Sequence, residues 1–201
     1  SNVAWIPALE SYLEPFLYSA FAYLATASVS GGVIISDVPS NGELFQILQS
    51  RGTIHHLYEC PFVCIAGNWP DVYPTLLSKK RRAEVRRGMA RLCKAGTLSH
   101  VVIDGNNAAL LPQVLPDCVR LHQERFQGTT NTSGFSDPRY TGLYETLLSR
   151  MCAEDNAWLS VALLDGIPIS FVLGFIQGNT FVDAIPAFDP AFGKFGLGHV
   201  H

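Results

Sequence analysis

The 201-residue chain lacks any apolar run long enough to cross a bilayer, which takes about 20 consecutive apolar residues. No signal peptide opens it, so secretion by that route is not expected. It has no Walker-type phosphate loop, no Gly-x-Ser-x-Gly elbow and no Cys-x-x-Cys pair. Three chemistries therefore lose their usual sequence support: P-loop nucleotide hydrolysis, α/β-hydrolase catalysis and dithiol redox. No internal repeat or low-complexity tract is present, which argues against a solenoid or a disordered tail. Its five cysteines are odd in number and irregularly spaced, a pattern of reduced thiols in a cytoplasmic protein. Cys60 and Cys64 stand near His55 and His56, but the spacing fits no zinc knuckle, and no metal is expected. A net charge of −3 exerts no overall attraction for nucleic acid or anionic membrane.

What is present is globular. At 48% hydrophobic and 15% charged residues, the chain can bury a sizeable core, as one large domain or two small ones. Glu10 to Ala27 is helix-like, Val33 to Val38 a short strand, Gly42 to Gln49 a brief helix and Thr53 to Ala66 a long strand. One helix is expected from Asn68-Trp69-Pro70 to Ala95, stopping at Gly96. Eight of the fourteen Lys and Arg fall between Lys79 and Lys94 on that helix. Only Glu84 opposes them internally, so Arg82, Arg86 and Arg87 are candidates for a polyanion or substrate phosphate. The alternative is a solvated connecting helix.

His100 to Ile103 reads as a strand. A helix follows from Asn106 or Asn107 to Phe126, with Pro116 as a kink, then a polar, mobile loop from Gly128 to Asp137 and an amphipathic helix from Tyr140 to Glu154. On the first of these helices, Leu111, Leu115, Cys118, His122 and Arg125 recur at helical spacing, so both polar residues extend an apolar stripe. A cation on such a stripe needs a partner or a cavity. His122 as proton acceptor and Arg125 as anion clamp is one reading; purely structural pairing is the other.

The stretch from Trp158 to the end organises the rest. Trp158 to Leu164 and Ile167 to Ile176 are apolar strands joined at Asp165-Gly166, a hairpin signal. Thr180 to Asp189 makes a third strand, completing an antiparallel meander. Asp183 and Asp189, six apart, are expected on one face of it, although Asp189, just before Pro190, reads rather as a turn-forming residue bonding its own backbone. A glycine turn, Phe195-Gly196-Leu197-Gly198, follows, where backbone N–H groups can approach a phosphate without a Cβ in the way.

Ala187-Phe188-Asp189-Pro190 followed by Phe195-Gly196-Leu197-Gly198 resembles the fourth strand and pyrophosphate turn of a GNAT-type acyltransferase. With Leu77-Ser-Lys-Lys-Arg-Arg-Ala-Glu-Val-Arg-Arg87 and Leu121-His-Gln-Glu-Arg125, the resemblance is to the CelD-like branch associated with cellulose and exopolysaccharide synthesis. It covers roughly Pro61 to the end. Gly193 departs from the family pattern, which places Gln or Arg three residues before the first glycine of the turn. The resemblance implies an α+β fold, a mostly antiparallel sheet flanked by helices. It further implies the middle of a tandem two-lobe protein: residues 1–66 closing one lobe, 67–98 a basic connecting helix, and 99–201 opening a second lobe, without the helix that receives the phosphates. Function would be transfer of an acyl group from acyl-CoA, used without a metal, to a small-molecule or saccharide acceptor. Backbone at Ile185, Ala187, Phe188, Gly196, Leu197 and Gly198 would hold the co-substrate, and Asp183 or His122 would take the acceptor's proton, with Arg125 beside them. The alternatives are a FemAB-like enzyme using aminoacyl-tRNA and a catalytically silent, polyanion-binding scaffold.

Overall fold

A computed structural model describes residues 10–26, 38, 40, 42–54 and 63–201. The chain divides into two compact units, Ser1–Val63 and Cys64–His201. In the first, helix α1 (Glu10–Thr26) and the short α2 (Glu43–Gln49) are described. Leu17 is buried there, and the Arg51 guanidinium lies 4.3 Å from the centre of the Tyr18 ring. The strand expected at 33–38 lies outside the described residues except for Val38, which is in no strand. Of the strand expected at 53–66, residues 55–62 lie outside; 53–54 and 63–66 are irregular, not strand.

The single basic helix expected from residue 68 is two. Helix α3 (Trp69–Leu76) contains Pro74, and α4 (Lys79–Ala95) starts afresh after Leu77 in an extended conformation. Ser78 is the reason: its Oγ accepts the N–H of Arg81, capping α4 and satisfying a donor that a helix start leaves orphaned. Arg82 ties the break together by donating to the carbonyls of Pro74 and Leu77 at the end of α3.

Strand β1 (Leu98–Ile103) leads through a 3₁₀ turn (Ala108–Leu110) into α5 (Leu111–Phe126), and α6 (Pro138–Ala153) follows. Strands β2 (Ala157–Leu164), β3 (Ile167–Gln177) and β4 (Thr180–Phe188) make the meander. The sheet is antiparallel throughout in the order β1-β2-β3-β4. The β2–β3 hairpin turns at Asp165 and Gly166, both at positive φ (52° and 80°), as a type I′ turn requires. The loop before α6 is anchored in its second half. Phe135 is buried, and its carbonyl accepts from Gln123 Nε2 and Thr141 Oγ1. Mobility is therefore not expected of that half.

The sheet is covered on both faces. Helices α5 and α6 pack on one, where Ile103, Leu159, Val161, Phe171, Leu173 and Ile185 meet Leu111, Leu115, Leu121 and Leu148. The other carries a smaller core in which Ala162, Leu164 and Ile169 meet Leu92 of α4 and Leu197. The glycine turn differs from expectation too. Residues Pro190–Phe195 form a 3₁₀ turn, and a short helix α7 (Leu197–Val200) starts directly after Gly196. A short helix thus follows the glycine turn, where the sequence reading expected none.

Candidate active site

Strand β4 is the natural starting point, because it bears both a carboxylate and the run into the glycine turn. Its pairing with β3 is interrupted: Leu173 opposes Ile185 while Gly174 opposes Asp183, leaving Ala184 as the extra residue of a bulge. A bulge shifts the alternation by one. Ile185 and Ala187 face the α5/α6 core, and Asp183 faces the other side, toward solvent. Asp189 lies beyond the strand end, where its Oδ1 accepts the N–H of Ala191 and starts the 3₁₀ turn. The expectation that Asp183 and Asp189 share a strand face is therefore corrected. The Asp183 carboxyl is held above its ordinary value by partial desolvation.

On the α5/α6 side, His122 stands near the end of α5. Its Nδ1 lies 2.7 Å from the Oγ of Ser133, a buried hydroxyl that also accepts the N–H of Phe135 at 3.2 Å. The imidazole packs against Phe126 and edge-on against Phe135, with centroids 4.9 and 5.1 Å away. Burial, and after it the charge of Arg125, hold its pKa below 6.5. The ring is therefore neutral near pH 7. Arg125 donates through Nη1 to the carbonyl of Pro186 on β4, and its guanidinium also lies 6.0 Å from the Phe188 ring. That contact joins the α5 stripe to the edge of β4. Among the described residues β4 is paired on one side only, and Pro186, which has no N–H to give, suits such an edge.

The structure thus joins His122, Ser133, Arg125 and Pro186 along one side. It leaves Asp183 on the opposite face of the sheet from α5. The two candidate proton acceptors do not converge. Ser133 was missed by sequence reasoning because a serine in a polar loop carries no signal; only its burial against a histidine from another element marks it.

The glycine turn lies on the second face. Gly196 has φ 71° and ψ 39°, the left-handed conformation that a side chain would strain, and nothing stands within 4 Å of where its Cβ would be. Leu197 is buried beneath it, and Phe188 packs against the same core. Gly198 is exposed. By helix geometry, the first N–H groups of α7 have no acceptor within the helix. Helix α4 lies alongside. Gly88 allows this: a Cβ there would meet the Phe195 carbonyl oxygen at 2.4 Å and Val200 at 2.9 Å. A glycine inside a run of good helix formers costs about 1 kcal/mol, and that cost was the readable signal of a close approach. Arg81, Glu84, Arg91, Gly193, Lys194 and Gly196 line a concavity of about 190 Å³ between helix and turn. Arg86 and Arg87 are exposed and outside that lining, whereas Arg82 is engaged by the end of α3.

A family model described as "Acetyltransferase (GNAT) domain" matches residues 79–201, from the first residue of α4 to the glycine turn and beyond. The chain belongs to the GNAT acetyltransferase family. Helix α4 is thus part of the GNAT domain as that family is defined, and the four-stranded antiparallel sheet flanked by helices is its α+β core. No curated protein matches the chain. Among the described residues, no helix is long and apolar enough to cross a membrane, and no group of three or more His, Cys, Asp or Glu is placed to hold a metal.

GNAT domains use acyl-CoA, and the residues present fit its diphosphate. The left-handed Gly196 leaves open space over the turn, and Leu197 fixes the start of α7 from below. Ile185 and Ala187 point their side chains into the core, so only their backbone groups are available to a ligand.

Proposed function

We propose that this GNAT domain transfers an acyl group from acyl-CoA to an amine or hydroxyl of a small-molecule or saccharide acceptor, with His122 as the base. The observation that supports it is the contact of Arg125 with Pro186, which puts the stripe carrying His122 against the open edge of β4. Acyl-CoA, when bound, supplies the thioester whose carbonyl the acceptor attacks. In the tautomer that donates from Nδ1 to the Ser133 oxygen, one of the two that the 2.7 Å contact allows, Nε2 keeps its lone pair and the neutral ring can take the acceptor's proton. As the bond from the acceptor to the acyl carbon forms, the C–S bond would break with CoA leaving as the thiolate, which the proton held on His122 would then neutralise. Arg125 keeps α5 registered on β4, and the ring packing of Phe126 and Phe135 limits how far the imidazole can turn. A role in exopolysaccharide synthesis and a cytoplasmic location fit the family resemblance and the free cysteines Cys64, Cys93, Cys118 and Cys152.

Thermal unfolding with acetyl-CoA tests the co-substrate, since a ligand for the native state alone at a hundredfold over its Kd adds about 2.7 kcal/mol. No shift at millimolar acetyl-CoA would sink the reading. The pH dependence of kcat/KM then tests the base. A neutral His122 must be deprotonated, so activity should fall as pH drops through a value below 6.5, and His122→Gln should lose about 10²–10⁴-fold. An intact rate in His122→Gln, with a single acid limb lost in Asp183→Asn, would transfer the role to Asp183.

A further inference from the structure

The concavity beside the glycine turn is electrostatically lopsided. Of its charged lining residues, Arg81 and Glu84 pair with each other at 2.9 Å. Among the described residues, no carboxylate forms an ion pair with Arg91 or Lys194. Instead both sit on one aromatic ring: the Arg91 guanidinium is 5.9 Å and the Lys194 ammonium 5.2 Å from the centre of Phe195. An aromatic face attracts each cation, but it does nothing for their mutual repulsion. Two like charges, from two separate elements, therefore lie within about 6 Å of one ring centre and line a single hollow together with Gly193 and Gly196. The arrangement depends on Gly88, without which α4 could not lie close enough for Arg91 to reach Phe195. Helical spacing adds Lys80, Arg87 and Lys94 to the same flank as Arg91, and Glu84 on that flank is paired with Arg81, so the potential stays positive along it.

We propose that Arg91 and Lys194 bind the 3′-phosphate of CoA. This inference rests on the acyl-CoA reading. With the diphosphate on the glycine turn, the phosphomonoester on the ribose is the remaining dianionic group, only a few bonds away. It is the group of the molecule best matched to two cations: both can donate charge-assisted hydrogen bonds to its oxygens. The proposal also gives α4 a role in the GNAT domain beyond covering the sheet. It makes the site selective for CoA over the same thioester lacking that phosphate.

Calorimetric titration of the protein with acetyl-CoA and with acetyl-dephospho-CoA tests this without any substitution. We expect acetyl-CoA to bind about tenfold tighter, a difference of about 1.4 kcal/mol. In Arg91→Ala/Lys194→Ala, affinity for acetyl-CoA should fall about tenfold while that for acetyl-dephospho-CoA changes less than twofold, closing the gap. Both residues are exposed, so the melting temperature should hold. Arg86→Ala, on another flank of α4, should leave both affinities unchanged. Equal binding of the two ligands by the unsubstituted protein, or equal weakening of both by the double substitution, overturns the inference and leaves the acyl-CoA reading standing. No binding of either ligand at millimolar concentration overturns both.

Discussion

The two faces of the sheet are built on different principles. The α5/α6 face is a continuous apolar core, with His122 and Ser133 hydrogen-bonded at its margin. The α4/α7 face has a much smaller core and polar groups within it. His201 there spans two buried hydroxyls, with Nδ1 2.7 Å from Ser170 and Nε2 2.9 Å from Ser160. The first face is stabilised by area removed from water. The second is held by close backbone approach and satisfied hydrogen bonds, with the cations outside. On the function proposed above, this would separate the side that positions the acceptor chemistry from the side that meets the co-substrate's phosphates.

The largest effect expected is on the first face. Phe171→Ala, in the central strand, should cost about 3–5 kcal/mol, and Leu92→Ala, in the smaller core, about 2–3 kcal/mol. Denaturant midpoints at constant slope would measure both; equal costs would break the comparison.

Gly88→Ala comes next and opposes two effects. Helix propensity favours alanine by about 1 kcal/mol. The new Cβ, however, would meet a backbone oxygen at 2.4 Å, which cannot swing away as a side chain could. A net loss of about 1–2 kcal/mol is expected, with weaker acetyl-CoA binding because the turn must move. A stabilised Gly88→Ala protein would show that α4 does not press on the turn.

The smallest effect is a pH dependence. Burial, and then the neighbouring His100, push His201 down to about 4. Above pH 6.5 it is neutral whether folded or unfolded, so its contribution is intact. As pH falls from 6.5 to about 4 the unfolded chain takes up the proton first, and stability is lost across that window. His201→Gln should flatten the melting temperature between pH 6.5 and 4 relative to the unsubstituted protein. An unchanged slope would show that His201 is not held neutral by its surroundings.

Much of the architecture was legible along the chain. Strands β2, β3 and β4 lie where β-branched and aromatic runs end in glycine turns, because those turns demand positive φ and few residues adopt it. The stripe from Leu111 to Arg125 and the glycine turn were legible for the same kind of reason, a local period or a local backbone need. The break at Ser78 was local too but concealed, since basic residues on both sides read as one helix. What tertiary structure decided is which residues meet. The bulge at Ala184 turns Asp183 away from α5, and no feature within β4 announces it, because a bulge is a property of two strands in register. Ser133 gains meaning only when burial presses it on His122, and Arg91 and Lys194 only when α4 lies on the turn. Sequence fixes periods and turns because these are short-range sterics; the partner of a polar side chain is set by long-range packing, which one strand or helix does not encode.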